Sequence, residues 1–488
     1  MTPSIRFAGT SERLRAVLTY PAIYQIGAEL DQRSLIGRPR LHPPYVLLIF
    51  ASLARITRST VRTETDLAVP GAWDQIREQM LATIAEHRLD VPAPPTTPPA
   101  WHHWRRLRDE HLCDDAALAQ IRRLHLPLAL DLAHDLGLLR TDGPGSLTHP
   151  DRTRAVYGDG TIVRPIYAPP RAVRLDQPTG TTLWYPDRTG RLRERPSQRY
   201  DPDIAEHHGH SGPVHGHGYV AFHARGPHVY QRVVLTIDHI DRPGQEANTA
   251  VRLVGELRAA AGDGIQVVVY DGALRGTHID KIQTRDGYVV LAKQPEYTDA
   301  AQAPAAVRTD QGRRAPSLPL GLATHTTAAG PCSHTLAAVK GRVSLLDLDD
   351  AGDPVVVATL TRGAVKRSRR KDGTHHFNVG YRIPCPAGDF TTWLSPHPTG
   401  PGDPRPEQLR ILADDDPDAM VIRGIRSDAE SNHAQFKRTL ITERAMSLGW
   451  RRGLIDYYAF AWYSNALTHH RANELAAVEQ RRHGRAGG

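Results

Sequence analysis

The sequence predicts an α/β protein with a mixed-sheet core, a helical region before it and a β-rich insertion within it. Three observations predict this. Residues 1–150 hold apolar runs of helical length separated by Pro-rich joints. From about Arg152 the pattern changes to short runs rich in β-branched and aromatic residues, alternating with amphipathic stretches. A second β-rich region, broken by turn residues, lies between 293 and 404, before helical periodicity returns at 405–475.

In the first region, LHPPYVLLIFASLARI places Pro at the entry of a helix too apolar to be anything but core. TRSTVRTETDLA follows, with Ser59 or Thr60 placed to cap a second helix. The pair has the size of a helix-turn-helix, although a plain helical hairpin is the commoner explanation for a first helix so apolar that it must be core. VPAPPTTPPA at 91–100 is a stiff joint before WHHWRRLRDEHL. Next come TRAVYGDGT, TIVRPIY, GHGYVAFHA and YQRVVLTID as strands. EANTAVRLVGELRAAAG then reads as a helix, IQVVVY as a buried strand and ALRGTHIDKIQTR as another helix. The insertion opens on low-complexity AQAPAAVRTDQGRRAPSLP and continues through GRVSLLDLDD, PVVVATL and HHFNVGYRIP. The tail 476–488 is basic, polar and expected to fray.

Composition narrows the function classes. The 488 residues suffice for two or three domains with sizeable cores, and 40% hydrophobic content argues for a globular chain. A net charge of +8 and a pI near 9.4 favour a polyanionic partner. Only 6 of the 61 cationic side chains are Lys, a bias toward Arg that a GC-rich genome also produces. Residues 1–150 hold 17 Arg against 16 acidic residues, so any basic stripe there must be local. The N-terminus lacks the apolar segment of a secretory signal, and Val46–Ala54 is too short to span a bilayer. Three cysteines, Cys113, Cys332 and Cys385, do not make a disulfide framework, so a cytoplasmic chain without a membrane partner is expected.

The chemistry-bearing residues lie in three segments. Asp159 closes AVYGDGT, Asp271 closes IQVVVYDGALRG, and Glu430 stands in VIRGIRSDAESNHAQFKRTL. Around Glu430 the pattern is Arg423-x2-Arg426-x3-Glu430-x6-Lys437, and in one continuous helix these four positions would lie within about 60° of one another. A carboxylate among phosphate-binding cations suits work on a nucleic-acid backbone. Ser427-x-x-Glu430 is also the pattern of a capping box, which would give Glu430 a purely structural role. Gly158, Gly160 and Gly272 flank the aspartates and leave room for a substrate to approach the backbone. Asp238 and Asp241 also follow a strand, but turn chemistry accounts for them.

The set Asp159, Asp271, Glu430 resembles the DDE triad of cut-and-paste insertion-sequence transposases, whose catalytic core has the RNase H-like fold. Arg426, Glu430 and Lys437 match the Y-x2-R-x3-E-x6-K signature of one large transposase group, while Arg423 stands where that signature has Tyr. The resemblance implies a core over 151–292 and 405–475, a β-rich insertion at 293–404, a helical N-terminal domain at 1–150 that binds DNA ends, and a flexible tail at 476–488. It further implies Asp159, Asp271 and Glu430 as catalytic ligands of Mg²⁺, with Mn²⁺ as substitute. Arg423, Arg426 and Lys437 would contact DNA, and the partners would be terminal inverted repeats and target DNA, bound by a homodimer. The chain would be nucleoid-associated when bound. Two other readings stay open: a catalytically inactive, transposase-derived DNA-binding protein, and a metal-dependent nuclease without strand transfer.

Other segments carry weaker signals. His207, His208, His210, His215 and His217 form a His-rich segment without the spacing of a closed zinc site, and read as a polar loop feeding a strand. Cys332-x-His334 with His376 and Cys385 offers the ligand types of a zinc-stapled hairpin but no CxxC spacing. VKRSRRK at 365–371 is either a solvated turn or a phosphate-binding arm, and Trp393 is the one Trp of the insertion.

Overall fold

The structure is a computed structural model that describes all residues except 1–8, 32–39, 168–172, 178–179, 188, 195–199, 202, 210–211, 229, 295–305, 310–313, 329, 446 and 487–488. It is mixed α/β. Of the low-complexity opening of the insertion, 301–305 and 310–313 lie outside the described residues, and Ala306–Arg308 and the residues from Arg314 are strand.

Five strands build the central sheet: β1 (Ala155–Val163), β2 (Gly212–Arg225), β3 (Arg232–His239), β4 (Val267–Tyr270) and β5 (Val289–Ala292). Their order across the sheet is β3-β2-β1-β4-β5. The pairs β3–β2 and β2–β1 are antiparallel, whereas β1–β4 and β4–β5 are parallel. A sixth strand, Ala205–Gly209, pairs with the start of β2, so the His-rich segment forms a β-hairpin rather than a loop. Strands β4 and β5, VVVY and VVLA, are buried at every position, as parallel strands covered on both faces must be.

The two faces can be read from the alternation. Val156, Val268 and Val290 join one hydrophobic core, while Ala155, Tyr157, Val267, Val269, Val289 and Leu291 join another. The first core takes in the helix Glu246–Ala261, here α1, and much of the N-terminal region: Leu48 and Phe50 of the helix Pro44–Thr57, and Ile121 and Leu130 of the helix Asp115–Asp135. The described residues of 10–139 therefore share a hydrophobic core with this face of the sheet. Ser59 caps the helix Thr60–Leu67, accepting from the backbone N–H of Arg62 at 3.3 Å.

The second face is covered by the insertion. Strands between Ala306 and Thr359 close into a five-stranded barrel, and Arg362–Arg369, His375–Ile383 and Phe390–Leu394 form a three-stranded sheet. Phe377, Val379 and Leu336 pack onto the odd-numbered side of β4 and β5. The VKRSRRK cluster thus lies on a strand and its turn, with Lys366 over the Trp393 ring at 4.1 Å. Arg367 donates to the carbonyl of Gly287 at 2.8 Å and pairs with Asp263 at 3.0 Å, tying this sheet to the core.

Two helices complete the C-terminal part: α2 (Ser427–Arg438) and α3 (Trp450–Ala486). Helix α3 buries Tyr457, Tyr458, Phe460 and Trp462 in the first core. It continues as helix through 476–486, so the expected frayed tail is helical to Ala486. Among the described residues no helix is long and apolar enough to cross a membrane.

Candidate active site

Asp159 and Asp271 are brought together by the register of two parallel strands. Tyr157 of β1 pairs with Val269 of β4. Two residues farther along the chain in each case stand Asp159, still within β1, and Asp271, the residue after β4. The Asp271 carboxylate accepts from the backbone N–H of Ala273 at 2.8 Å, which turns the chain sharply after β4. Burial and the neighbouring Asp271 charge push the Asp159 carboxyl up to about 7, against an opposing pull from the Arg426 cation.

A carboxylate that the sequence did not single out joins them. Glu246, at the first turn of α1, accepts from the buried Tyr270 hydroxyl at 3.0 Å. Its own carboxyl is raised, first by burial and then by Asp271. A Cβ at Gly160 would lie 2.3 Å from the Glu246 carboxylate carbon, so the missing side chain is the notch through which Glu246 reaches the strand end. Gly160 was therefore the available sequence signal. The notch opens on the α1 side of the sheet, opposite the side of Asp159 and Asp271.

The flanking glycines need reinterpretation for the same reason. A Cβ on Gly158 would enter the Phe222 ring at 2.3 Å, so this glycine serves packing. Gly160 serves Glu246. Only Gly272, whose nearest neighbours stand 4.0 Å away, leaves the space expected of all three.

Helix α2 lies over β1 and is held there by a buried charge network. Asp428 pairs with Arg225 of β2 at 2.9 Å, and more distantly with Arg232 at 3.4 Å and His223 at 3.7 Å. Arg232 also donates to the Asp428 carbonyl at 3.1 Å and to Gln435 at 2.6 Å. Phe436 stacks on Tyr457 of α3 with ring centroids 4.0 Å apart. His433 meets β1 directly: its Nε2 lies 3.2 Å from the Asp159 carbonyl oxygen and its Nδ1 2.6 Å from the Tyr457 hydroxyl. Burial pushes His433 down to about 3, so the ring is neutral at pH 7. In the tautomer that satisfies both contacts, Nε2–H donates to the carbonyl and the Tyr457 hydroxyl donates to Nδ1.

This placement decides several expectations about the Glu430 segment. Arg426 is the residue before α2, the helix has no side-chain cap bond, and Ser427 is already helical, so no capping box forms. Arg423 is not on the same helix. It ends the separate helix Pro417–Arg423 and pairs with Asp414 at 2.9 Å, with the turn Gly424–Arg426 between, which corrects the single helical face expected for all four positions. Arg426 is near enough to Asp159 to lower its carboxyl, and its Nε is buried without a hydrogen-bond partner. Lys437 is half-buried and held below its usual range, first by burial, with Glu443, Arg164 and Asp159 as charged neighbours. Glu430 itself is exposed, its side chain 64% accessible, with Arg426 at 3.9 Å. The structure thus joins Asp159 to Asp271, Arg426 and Lys437, and leaves Glu430 on the same helix but turned outward.

Asp238 is fixed by ion pairs to Arg122 and Arg252, which gives it a structural role. In the His-rich hairpin, His217 contacts Asp201 at 2.8 Å in full burial, and His210 lies outside the described residues. The donor set of Asp159 and Asp271, hard oxygens from neighbouring parallel strands, fits a divalent cation such as Mg²⁺ or Mn²⁺. Their carboxylates stand close enough to repel one another, but they do not form a preformed cage. No protein-family model, curated protein or solved structure matches this chain.

Proposed function

We propose that the chain is a DNA transposase with an RNase H-like core that cuts the ends of a mobile element and joins them to target DNA. The strand order β3-β2-β1-β4-β5, with the first three strands antiparallel and the last two parallel to β1, is the topology expected of that core. The observation that carries the reading is the meeting of Asp159, midway along β1, with Asp271, just past the end of β4, beside Arg426 at the start of α2 and Lys437 within it.

In this mechanism Mg²⁺ held by Asp159 and Asp271 would activate the attacking oxygen and stabilise the leaving one. Arg426 and Lys437 grip the phosphates on either side of the scissile bond and neutralise charge there. His433, braced by Tyr457, holds the backbone of Asp159 in place without itself changing charge. Water displaces the 3′-oxygen of one strand, leaving a 5′-phosphate and a free 3′-hydroxyl. That hydroxyl next attacks a second phosphodiester, and the displaced oxygen leaves with the proton.

Glu430 is the third ligand of this reading: it shares α2 with His433, which meets Asp159, and its exposed side chain would have to turn toward the aspartates when metal binds. Glu246 is a competing third carboxylate, favoured by its contact with the cluster and disfavoured by its approach from the other face. Incubating the purified chain with Mg²⁺ and DNA carrying the repeats that flank its coding region tests the proposal. Binding without cleavage would favour an inactive descendant, and cleavage without joining a simple nuclease. A homodimer is expected in the DNA complex, since two ends must be joined together.

A further inference from the structure

Four side chains from two separate parts of the insertion converge on one point. His325 and Cys332 are cross-strand partners in the hairpin formed by Arg314–Thr327 and Gly330–Val339. His334 lies two residues beyond Cys332, on the same face of its strand. Cys385 comes from elsewhere: it follows the strand His375–Ile383 of the three-stranded sheet, in a turn where Gly388 N–H donates to its carbonyl at 2.9 Å. The Cys332 and Cys385 sulfurs are 3.6 Å apart, Cys332 Sγ is 3.4 Å from His334 Nε2, and Cys385 Sγ is 3.3 Å from His325 Nε2. All four ligand atoms lie within 4.8 Å of one another.

We propose that His325, Cys332, His334 and Cys385 form a structural Zn²⁺ site that staples the barrel hairpin to the three-stranded sheet. A tetrahedral ion with zinc–sulfur bonds of about 2.3 Å and zinc–nitrogen bonds of about 2.0–2.1 Å holds its ligands about 3.3–3.8 Å apart, the range of the three sulfur contacts found here. Two thiolates and two imidazoles close the coordination shell, leaving no position for water, as in sites that stabilise folds rather than react. The ligand softness favours zinc over the hard cations suited to Asp159 and Asp271.

The surroundings orient the ligands. The Phe390 ring stacks on His325 with centroids 3.9 Å apart and planes 15° from parallel, which fixes the imidazole with Nε2 toward Cys385. Asp389 accepts from the Cys385 backbone N–H at 3.3 Å and steadies the turn. The sulfur separation is well beyond the roughly 2.05 Å of a disulfide, and a disulfide would leave both histidines without a part. His376, the histidine that the sequence pairs with these cysteines, is instead stacked on His397 at 4.9 Å and bonded to Arg370. The staple joins the barrel hairpin to the three-stranded sheet, both of which lie within the insertion.

Metal analysis of the purified full chain, dialysed against a weak chelator, tests this. The native chain should retain about one zinc per molecule, and Cys332→Ser or Cys385→Ser should lower this at least about tenfold. His376→Ala should leave it unchanged. Cobalt exchanged into the native chain should give tetrahedral visible bands and a thiolate charge-transfer band. Cys385→His, which keeps four ligands, should retain metal with a weaker thiolate band, so the test does not depend on the Ser variants folding. Zinc retained in full by both Ser variants, or a native chain free of metal with Cys332 and Cys385 joined by a disulfide, would overturn the proposal.

Discussion

His433 Nε2 lies 3.2 Å from the backbone carbonyl of Asp159, so the helix that carries Glu430 is fastened to the strand that carries the first aspartate through the aspartate's own peptide. Movement of α2 is thereby coupled to Asp159 rather than merely adjacent to it. The Asp428 network holds the other end of the same helix. Together they position Arg426 and Lys437 over the paired aspartates.

Removing that second anchor should be costly. Asp428→Ala leaves Arg225 and Arg232, both largely buried, without their carboxylate. Urea unfolding should show a loss on the order of 3 kcal/mol, since breaking a buried pair strands its partner's charge. Asp428→Asn, which keeps the shape and some acceptors, should lose less. A wild-type midpoint for Asp428→Ala would mean that the network does not hold the helix.

The paired aspartates also predict a pH dependence. In the fold Asp159 is raised from 3.8 to about 7 by burial and by Asp271. A raised carboxyl favours the protonated folded form, so its contribution is full below the unfolded value and is lost as pH rises through the folded one. In chelator, wild-type melting temperature should therefore fall relative to Asp159→Asn between about pH 4 and about pH 8. Millimolar Mg²⁺ at the upper pH should narrow the gap by binding only the wild-type folded state. A gap that stays constant across this window would show that Asp159 does not feel Asp271.

Much of this arrangement is legible in the sequence, and the reasons for the rest are physical. Asp159 and Asp271 announce themselves because each follows an apolar run; α1 follows from its helical periodicity and β4 from a short β-branched run. Glu246 does not, because its approach depends on Gly160, far earlier in the chain on β1. The break between Arg423 and Arg426 was hidden because helical spacing cannot reveal a three-residue turn. His325 was missed for a related reason: its link to Cys332 is set by hairpin register, not by a short motif.

The cations should separate by position. Arg426→Ala and Lys437→Ala should each weaken binding of element-end DNA and reduce the salt slope by roughly one, as expected for one lost phosphate contact. Arg423→Ala should change these little, since Arg423 is engaged by Asp414 on a different helix. Arg426→Lys should recover only part of the loss, because the bidentate grip is gone. Salt titrations of binding check all four variants. Equal slopes for Arg423→Ala and Arg426→Ala would place both residues on the DNA and undo the distinction drawn from the helix break.

The most direct test of the central claim is Mg²⁺-dependent cleavage of element-end DNA by the wild type beside Asp159→Asn, Asp271→Asn, Glu430→Gln and Glu246→Gln. The account predicts that the two aspartate variants and Glu430→Gln lose cleavage by at least about a thousandfold while still binding the ends, and that Glu246→Gln retains it within about tenfold. Loss at Glu246 with retention at Glu430 would move the third ligand to the opposite face of the sheet. Full cleavage by Asp159→Asn or Asp271→Asn, or no cleavage by the wild type on any end bearing its flanking repeats, would contradict the account.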